Sequence, residues 1–250
     1  MPAIVLAVAA FPVARGQEAD AEPFLERAQK YWTDLSPAVD QYCQEVDACG
    51  ELTDVLGAVY DAVLTNENGR FRDTLIDKYN RERPTIVAQM VSLDDETRDL
   101  EARLNNARDY LHQRQFDQFR SLSTYRDLST VLEKGYQAVV AARDIPRLLP
   151  LSDPIPEPVP PVEVTSTDFV VLGLERGKLY PVEVRVRNNC HYTKRAANVE
   201  ILVRYGPAKI KGELKKSITV NPGKTGMLTW QFTPTDDGEF DIGARIVPTP

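Results

Sequence analysis

The sequence predicts an α + β chain in four stretches. These are an apolar start (residues 1–16), an antiparallel helical bundle or coiled coil (20–145), a proline-rich linker (146–163) and an antiparallel β-sandwich (164–250). Three observations predict it. Apolar residues recur at intervals of three and four from Glu22 to Arg143, with little Gly or Pro. Seven of the 18 prolines then fall within the 16 residues from Pro146 to Pro161. Beyond them the apolar period drops to two, with turn residues every eight to twelve positions.

The first stretch contains Ala3–Val13, "AIVLAVAAFPV", which is too short to span a bilayer but has the length of a signal-peptide core. Ala14 and Gly16 put small residues at −3 and −1, so cleavage before Gln17 is expected if the run is an export signal. Only Met1 and Pro2 precede it, without positive charge, so an apolar strand or helix of a non-exported protein stays open. Export would place the chain in the periplasm or at the cell surface, and its absence in the cytoplasm.

The helical stretch divides into four apolar stripes. The first is Phe24, Ala28, Tyr31, Leu35, Val39, Tyr42 and Val46; the second is Leu52, Val55, Val59 and Val63, stopped by "NENG". The third is Ile86, Met90, Leu93, Thr97, Leu100, Leu104, Ala107 and Leu111, alternating four and three like a coiled-coil seam, with Pro84 placed for a first turn. The fourth runs from Phe116 through Phe119, Leu122, Leu128, Leu132 and Tyr136 to Val139. An antiparallel bundle or hairpin fits them, as does one long dimerising helix ending near Arg143.

Cys43 and Cys49 lie six apart. On an unbroken helix they would point about 240° apart and sit about 9 Å apart along the axis, too far to bridge. If Gly50 ends the helix, a small-loop disulfide is possible; otherwise both are free thiols, and Cys190 is left over in either case.

The linker's proline density excludes helix and sheet interior and predicts an extended, exposed, semi-rigid spacer. Past it, "DFVVLGL", "KLYPVEVRVRN", "ANVEILVRYG", "KSITV", "GMLTWQF" and "GEFDIGARI" read as strands. Gly223-Lys224-Thr225 resembles the end of a phosphate loop, but Ile218 stands where the first glycine belongs and a strand follows instead of a helix. Asn221-Pro222-Gly223-Lys224 is therefore a turn, in which proline presets φ and glycine supplies positive φ.

"Y-x-V-x-V-x-V-x-N" (Tyr180–Asn188), "A-N-V-x-I-x-V-x-Y-G" (Ala197–Gly206), "I-T-V-x-P-G-K-T" (Ile218–Thr225), "W-x-F-x-P" (Trp230–Pro234) and "D-G-x-F-x-I-x-A-x-I" (Asp237–Ile246) together resemble the CARDB family. These are cell-adhesion-related, immunoglobulin-like domains of bacterial and archaeal surface proteins. The resemblance covers about residues 165–248 and implies a non-catalytic sandwich used for spacing, adhesion or protein contact. "NCHYTKRA" departs from it as a basic insert where a short Gly-rich turn is usual.

Charge narrows the partners. Residues 1–162 carry 17 Lys+Arg against 27 Asp+Glu, and residues 163–250 carry 13 against 10. The acidic front part argues against nucleic acid. His112 and His191 have no second histidine or carboxylate pair at ligand spacing, and no cofactor loop or catalytic motif is present. The expectation is therefore a non-enzyme without catalytic, metal or cofactor residues. Lys194, Arg195, Lys209, Lys211, Lys215 and Lys216 form either edge protection for the sheet or a docking patch for an acidic partner or an anionic surface polymer.

The leading functional expectation is an exported structural or interaction protein of the cell envelope, whose helices self-associate or grip a protein partner. A carbohydrate- or cell-wall-polymer-binding protein is the alternative, and a cytosolic scaffold or virion component follows if the apolar start is not a signal.

Overall fold

The computed structural model describes residues 15–67, 69–113, 119–151, 154–155, 157–168 and 174–248, with side chains from residue 22 onward. The expected export signal therefore lies outside the described residues except for Arg15 and Gly16, as do Phe116 and most of the expected first strand "DFVVLGL". Among the described residues, three long helices, α1 (Arg15–Thr65), α2 (Arg72–Leu111) and α3 (Ser123–Asp144), precede seven strands, β1 (Val162–Asp168), β2 (Tyr180–Asn188), β3 (Arg195–Tyr205), β4 (Ala208–Lys211), β5 (Lys215–Val220), β6 (Thr225–Pro234) and β7 (Asp241–Val247). Among the described residues, no helix is long and apolar enough to cross a membrane.

The chain folds as two compact units: the part up to Gly50 with Ala88–Ile145, and Glu51–Val87 with Pro146–Pro250. The division does not follow the proline-rich stretch, where composition places it. The far ends of α1 and α2 bury their apolar residues in the second unit, so they belong to it rather than to a purely helical domain.

In the first unit three helices surround one core, which includes Leu35, Val39, Tyr42, Leu100, Leu104, Leu128 and Val139. Cross-helix pairs give their directions. Phe24 stacks near Tyr110, and Tyr42 bonds Thr97, so α1 and α2 run antiparallel. Tyr136 donates to Asn105 and Arg143 to Glu101, so α2 and α3 are antiparallel too. The first stripe and the third from Met90 onward lie in this core as their periodicity predicts, with Tyr31 only half-buried, whereas Ile86 packs in the second unit. Thr97 is the polar member of its seam: it donates to Leu93 O at 2.6 Å and accepts from the Tyr42 hydroxyl, which leaves no polar atom unpaired there.

Three helical expectations are corrected. Gly50 does not end α1, which runs unbroken to Thr65 and stops at Asn66 with φ 52°. Cys43 and Cys49 therefore point apart on one helix, and they and Cys190 are all free thiols. The second stripe is out of phase: Leu52 and Val55 are 43% and 58% exposed. Of that stripe Val63 is buried and Val59 half-buried, and the buried face runs Thr53, Leu56, Tyr60 and Val63, which continues the four–three alternation of Tyr42, Val46 and Cys49 without a break. Pro84 likewise lies inside α2, not at its first turn.

In the second unit, the paired ends of α1 and α2 form a hairpin around Leu56, Tyr60, Leu64, Tyr79 and Ile86, with Leu148 inserted among them. Arg83 donates to Leu148 O at 3.0 and 3.1 Å, and Tyr79 donates to Leu149 O. The start of the proline-rich stretch is thus packed rather than a free spacer, because Leu148 finds an apolar socket and its carbonyl a guanidinium. Residues 157–160 do remain exposed and outside helix and strand, as their prolines require.

The strands form two antiparallel sheets, ordered β1-β2-β6-β4 and β5-β3-β7. Alternate residues of both, including Val182, Val184, Val186, Val199, Ile201, Phe232 and Ile242, meet in one core. Tyr205 breaks the alternation of β3 and turns outward, because a register irregularity between Val203 and Tyr205 shifts the pleat. Gly223 has φ 62° and Lys224 N–H donates to Asn221 O at 3.1 Å, so the "NPGK" segment is a tight turn joining β5 to β6.

Candidate functional site

The basic insert "NCHYTKRA" organises a buried polar cluster in the second unit. Asp61 of α1 is fully buried. Its carboxylate accepts from three consecutive backbone amides, His191 at 2.7 Å on Oδ1, then Tyr192 at 2.9 Å and Thr193 at 2.8 Å on Oδ2. The Thr193 hydroxyl adds a fourth bond at 2.9 Å. Successive amides turned to one side form an anion-binding concavity, and here the anion is a side chain of the same unit.

Asn188 shapes that loop. Its amide group donates to Thr193 O at 2.9 Å and Val220 O at 3.0 Å, and its carbonyl accepts from Cys190 N–H at 2.9 Å. Tyr192 then packs closely against Gly57: a Cβ at Gly57 would stand 2.6 Å from Tyr192 Cγ, so only glycine admits this approach. The Tyr192 hydroxyl donates to Arg147 O at 2.9 Å and accepts from Leu149 N–H at 2.7 Å. Tyr60 meets Tyr192 and His191 edge-on at 5.5 and 5.6 Å. Burial pushes the Tyr60 and Tyr192 hydroxyls above the usual phenol range, so both stay neutral.

Cys190 and His191 do not form a paired site. Cys190 is buried with its sulfur accepting from Arg195 Nε at 3.3 Å, whereas His191 is exposed. Arg195 also pairs with Glu67 at 3.0 Å, so this member of the expected docking patch is engaged inside the unit. The other members separate. Lys194 is exposed in the loop, Lys209 and Lys211 lie on edge strand β4, and Lys215 and Lys216 lie on edge strand β5. Lys216 donates to Thr229 O at 2.6 Å and sits 5.1 Å from the Trp230 ring centre. Trp230 is itself core, with its indole N–H bonded to Glu213 O at 2.9 Å, so it offers no face for stacking a sugar.

The first unit holds a polar groove of about 730 Å³ between α1 and α2, lined among others by Arg27, Tyr31, Asp34, Arg103, Asn106 and Tyr110. Pro37 lacks the N–H that would continue the α1 ladder. Arg103 donates to the nearby Asp34 carbonyl at 2.9 Å, and the Arg27 guanidinium covers the Tyr110 ring at 4.9 Å. The groove's cations are thus already engaged with this unit's own groups.

Sequence reasoning missed Asp61. Its signal was a single carboxylate inside the apolar run Val59–Leu64. Such a residue on a buried helix needs donors from elsewhere, and the sequence does not say where they come from. No protein-family model matches the chain, and no curated protein is significantly similar to it.

Proposed function

We propose that the chain is an exported, non-enzymatic structural or interaction protein of the cell envelope. Its helices form a coiled-coil-like element for assembly or for gripping a protein partner, and its β unit is an immunoglobulin-like sandwich of the CARDB type. The observation that carries this reading is the Asp61 cluster. A fully buried carboxylate and four donors are committed to fixing a helical hairpin against the β strands. Chemistry on a substrate would need such a group open to a ligand; here its acceptor positions are filled by the fold itself.

Support for the sandwich comes from seven strands in two antiparallel sheets that share one core. Support for the helical element comes from the four–three seam of α2. The envelope assignment rests on the sequence, through the apolar run Ala3–Val13 and the family resemblance.

Cell fractionation with N-terminal sequencing tests the reading. A chain beginning at Gln17 outside the cytoplasm is the expected result. Intact Met1 on cytoplasmic protein would replace it with a cytosolic scaffold.

A further inference from the structure

Two exposed surfaces of the second unit are complementary. On α1, the outward-turned Leu52 and Val55 are flanked by exposed Glu51 and Asp54. This is an apolar strip at helical spacing with acidic neighbours. On the β strands, Lys209 and Lys211 of β4 and Lys215 of β5 are exposed around Leu214, itself 48% exposed. β4 and β5 end their respective sheets and are joined by Gly212–Leu214. They lie on the same side of the two layers, since β4 also touches β3 and β5 touches β6. The acids near this edge are Glu213 and the half-buried Glu200, which already pairs with Arg245 and Lys215. With exposed Glu213 set against Lys209, Lys211 and Lys215, the edge is net cationic around Leu214.

We propose that these surfaces bind each other between molecules: the Glu51–Val55 strip of one copy of this chain docks along the β4–β5 lysine edge of the next. The proposal deepens the reading of the chain as an assembly protein by naming the partner as a second copy. Charge decides the pairing. Strip against strip would face carboxylates with carboxylates, and edge against edge would face ammoniums with ammoniums, so a two-fold contact is disfavoured. Strip against edge brings opposite charges together around Leu52, Val55 and Leu214. Edge lysines that discourage strand addition do not exclude a helix, whose backbone groups are already paired. Such a head-to-tail contact is not two-fold, so it generates a ring where its rotation closes and open chains where it does not.

The test is sedimentation velocity of the purified full chain over a concentration series. At low salt the mean mass should rise with concentration. In roughly 0.5 M NaCl, where charges screen over about 4 Å, it should return to the monomer. Glu51→Lys with Asp54→Lys should weaken association about tenfold or more, and so should Lys209→Glu with Lys211→Glu. Mixing the two variants should restore it, because each supplies the surface that the other needs. Leu52→Gln with Val55→Gln is a neutral disruption of the strip, and unchanged circular dichroism checks that each variant folds. A wild-type chain that stays monomeric at low salt overturns the proposal. So does association that only one variant pair disturbs, or a mixture that stays monomeric. None of these outcomes bears on where the protein resides, so this failure and failure of the envelope reading are separable.

Discussion

Replacing Asp61 with alanine removes one carboxylate and leaves three amides and a hydroxyl without their acceptor. Hydrogen bonds to a charged group contribute about 1.5–3 kcal/mol each, and an orphaned buried donor costs about 1–3 kcal/mol. The four bonds share one carboxylate and are not additive, and water can enter the vacated space to satisfy part of the loop. The expected loss is therefore about 3–5 kcal/mol, the range for breaking a buried charged network. For a chain of this size, that lowers the midpoint of the second unit by on the order of 10 °C. Asp61→Asn should fall between wild type and alanine: one oxygen still accepts, but the NH₂ group faces a backbone donor. Amide hydrogen exchange reads the same event locally. His191, Tyr192 and Thr193 should be protected in the wild type and exchange much faster in Asp61→Ala, while the Val182–Val186 strand keeps its protection at low temperature. If the three amides exchange equally in both proteins and the melting curve is unmoved, the carboxylate is not what holds the loop.

Other perturbations follow from the same geometry. Gly57→Ala drives a methyl into the Tyr192 ring and should cost about 1–3 kcal/mol; paired with Tyr192→Ala, a double-mutant cycle should show strong non-additivity, and simple additivity would deny the contact. Trp230→Ala should cost about 3–5 kcal/mol, and in a Trp32→Phe background acrylamide should quench Trp230 poorly; quenching like that of free indole would place it on the surface. All three cysteines should titrate as thiols in the unfolded chain, with Cys49 and Cys190 slow in the native one, and a count below three would reveal a bridge. Glu45 and Glu96 are hydrogen-bonded across α1 and α2, and this bond holds the Glu96 carboxyl above the usual range and the Glu45 carboxyl below it. The pair's contribution should fade as pH rises through the raised Glu96 value, where the bridging proton leaves. It should also fade as pH falls through the lowered Glu45 value. Glu96→Gln keeps a donor at all pH and should abolish the loss on the alkaline side; an unchanged pH profile of first-unit stability would rule out the shared proton.

Periodicity alone determined the class of the three helices and of β2, β3, β5, β6 and β7, whereas β1 begins within the expected linker. Four–three spacing made helices of the front half, and period two made strands of the back, because each spacing buries one face only in its own geometry. The seam from Ile86 to Leu111 and the inward Val182–Val186 and Trp230 were legible this way, and the turn at Gly223 was legible from its proline and glycine. These are local facts, fixed by backbone geometry and the side chain's own polarity. What the tertiary structure decided is where that local code was ambiguous. Gly50 reads as a stop, yet α1 continues through it because the buried face Cys49, Thr53, Leu56 and Tyr60 repays the helix on the far side. That continuity separated the cysteines, turned Leu52 and Val55 outward, and drew the ends of α1 and α2 and Leu148 into the second unit. Asp61 and its three amides lie about 130 residues apart in sequence. A carboxylate announces that it needs donors when it is buried, but which backbone turns to meet it is settled only when the chain closes that distance.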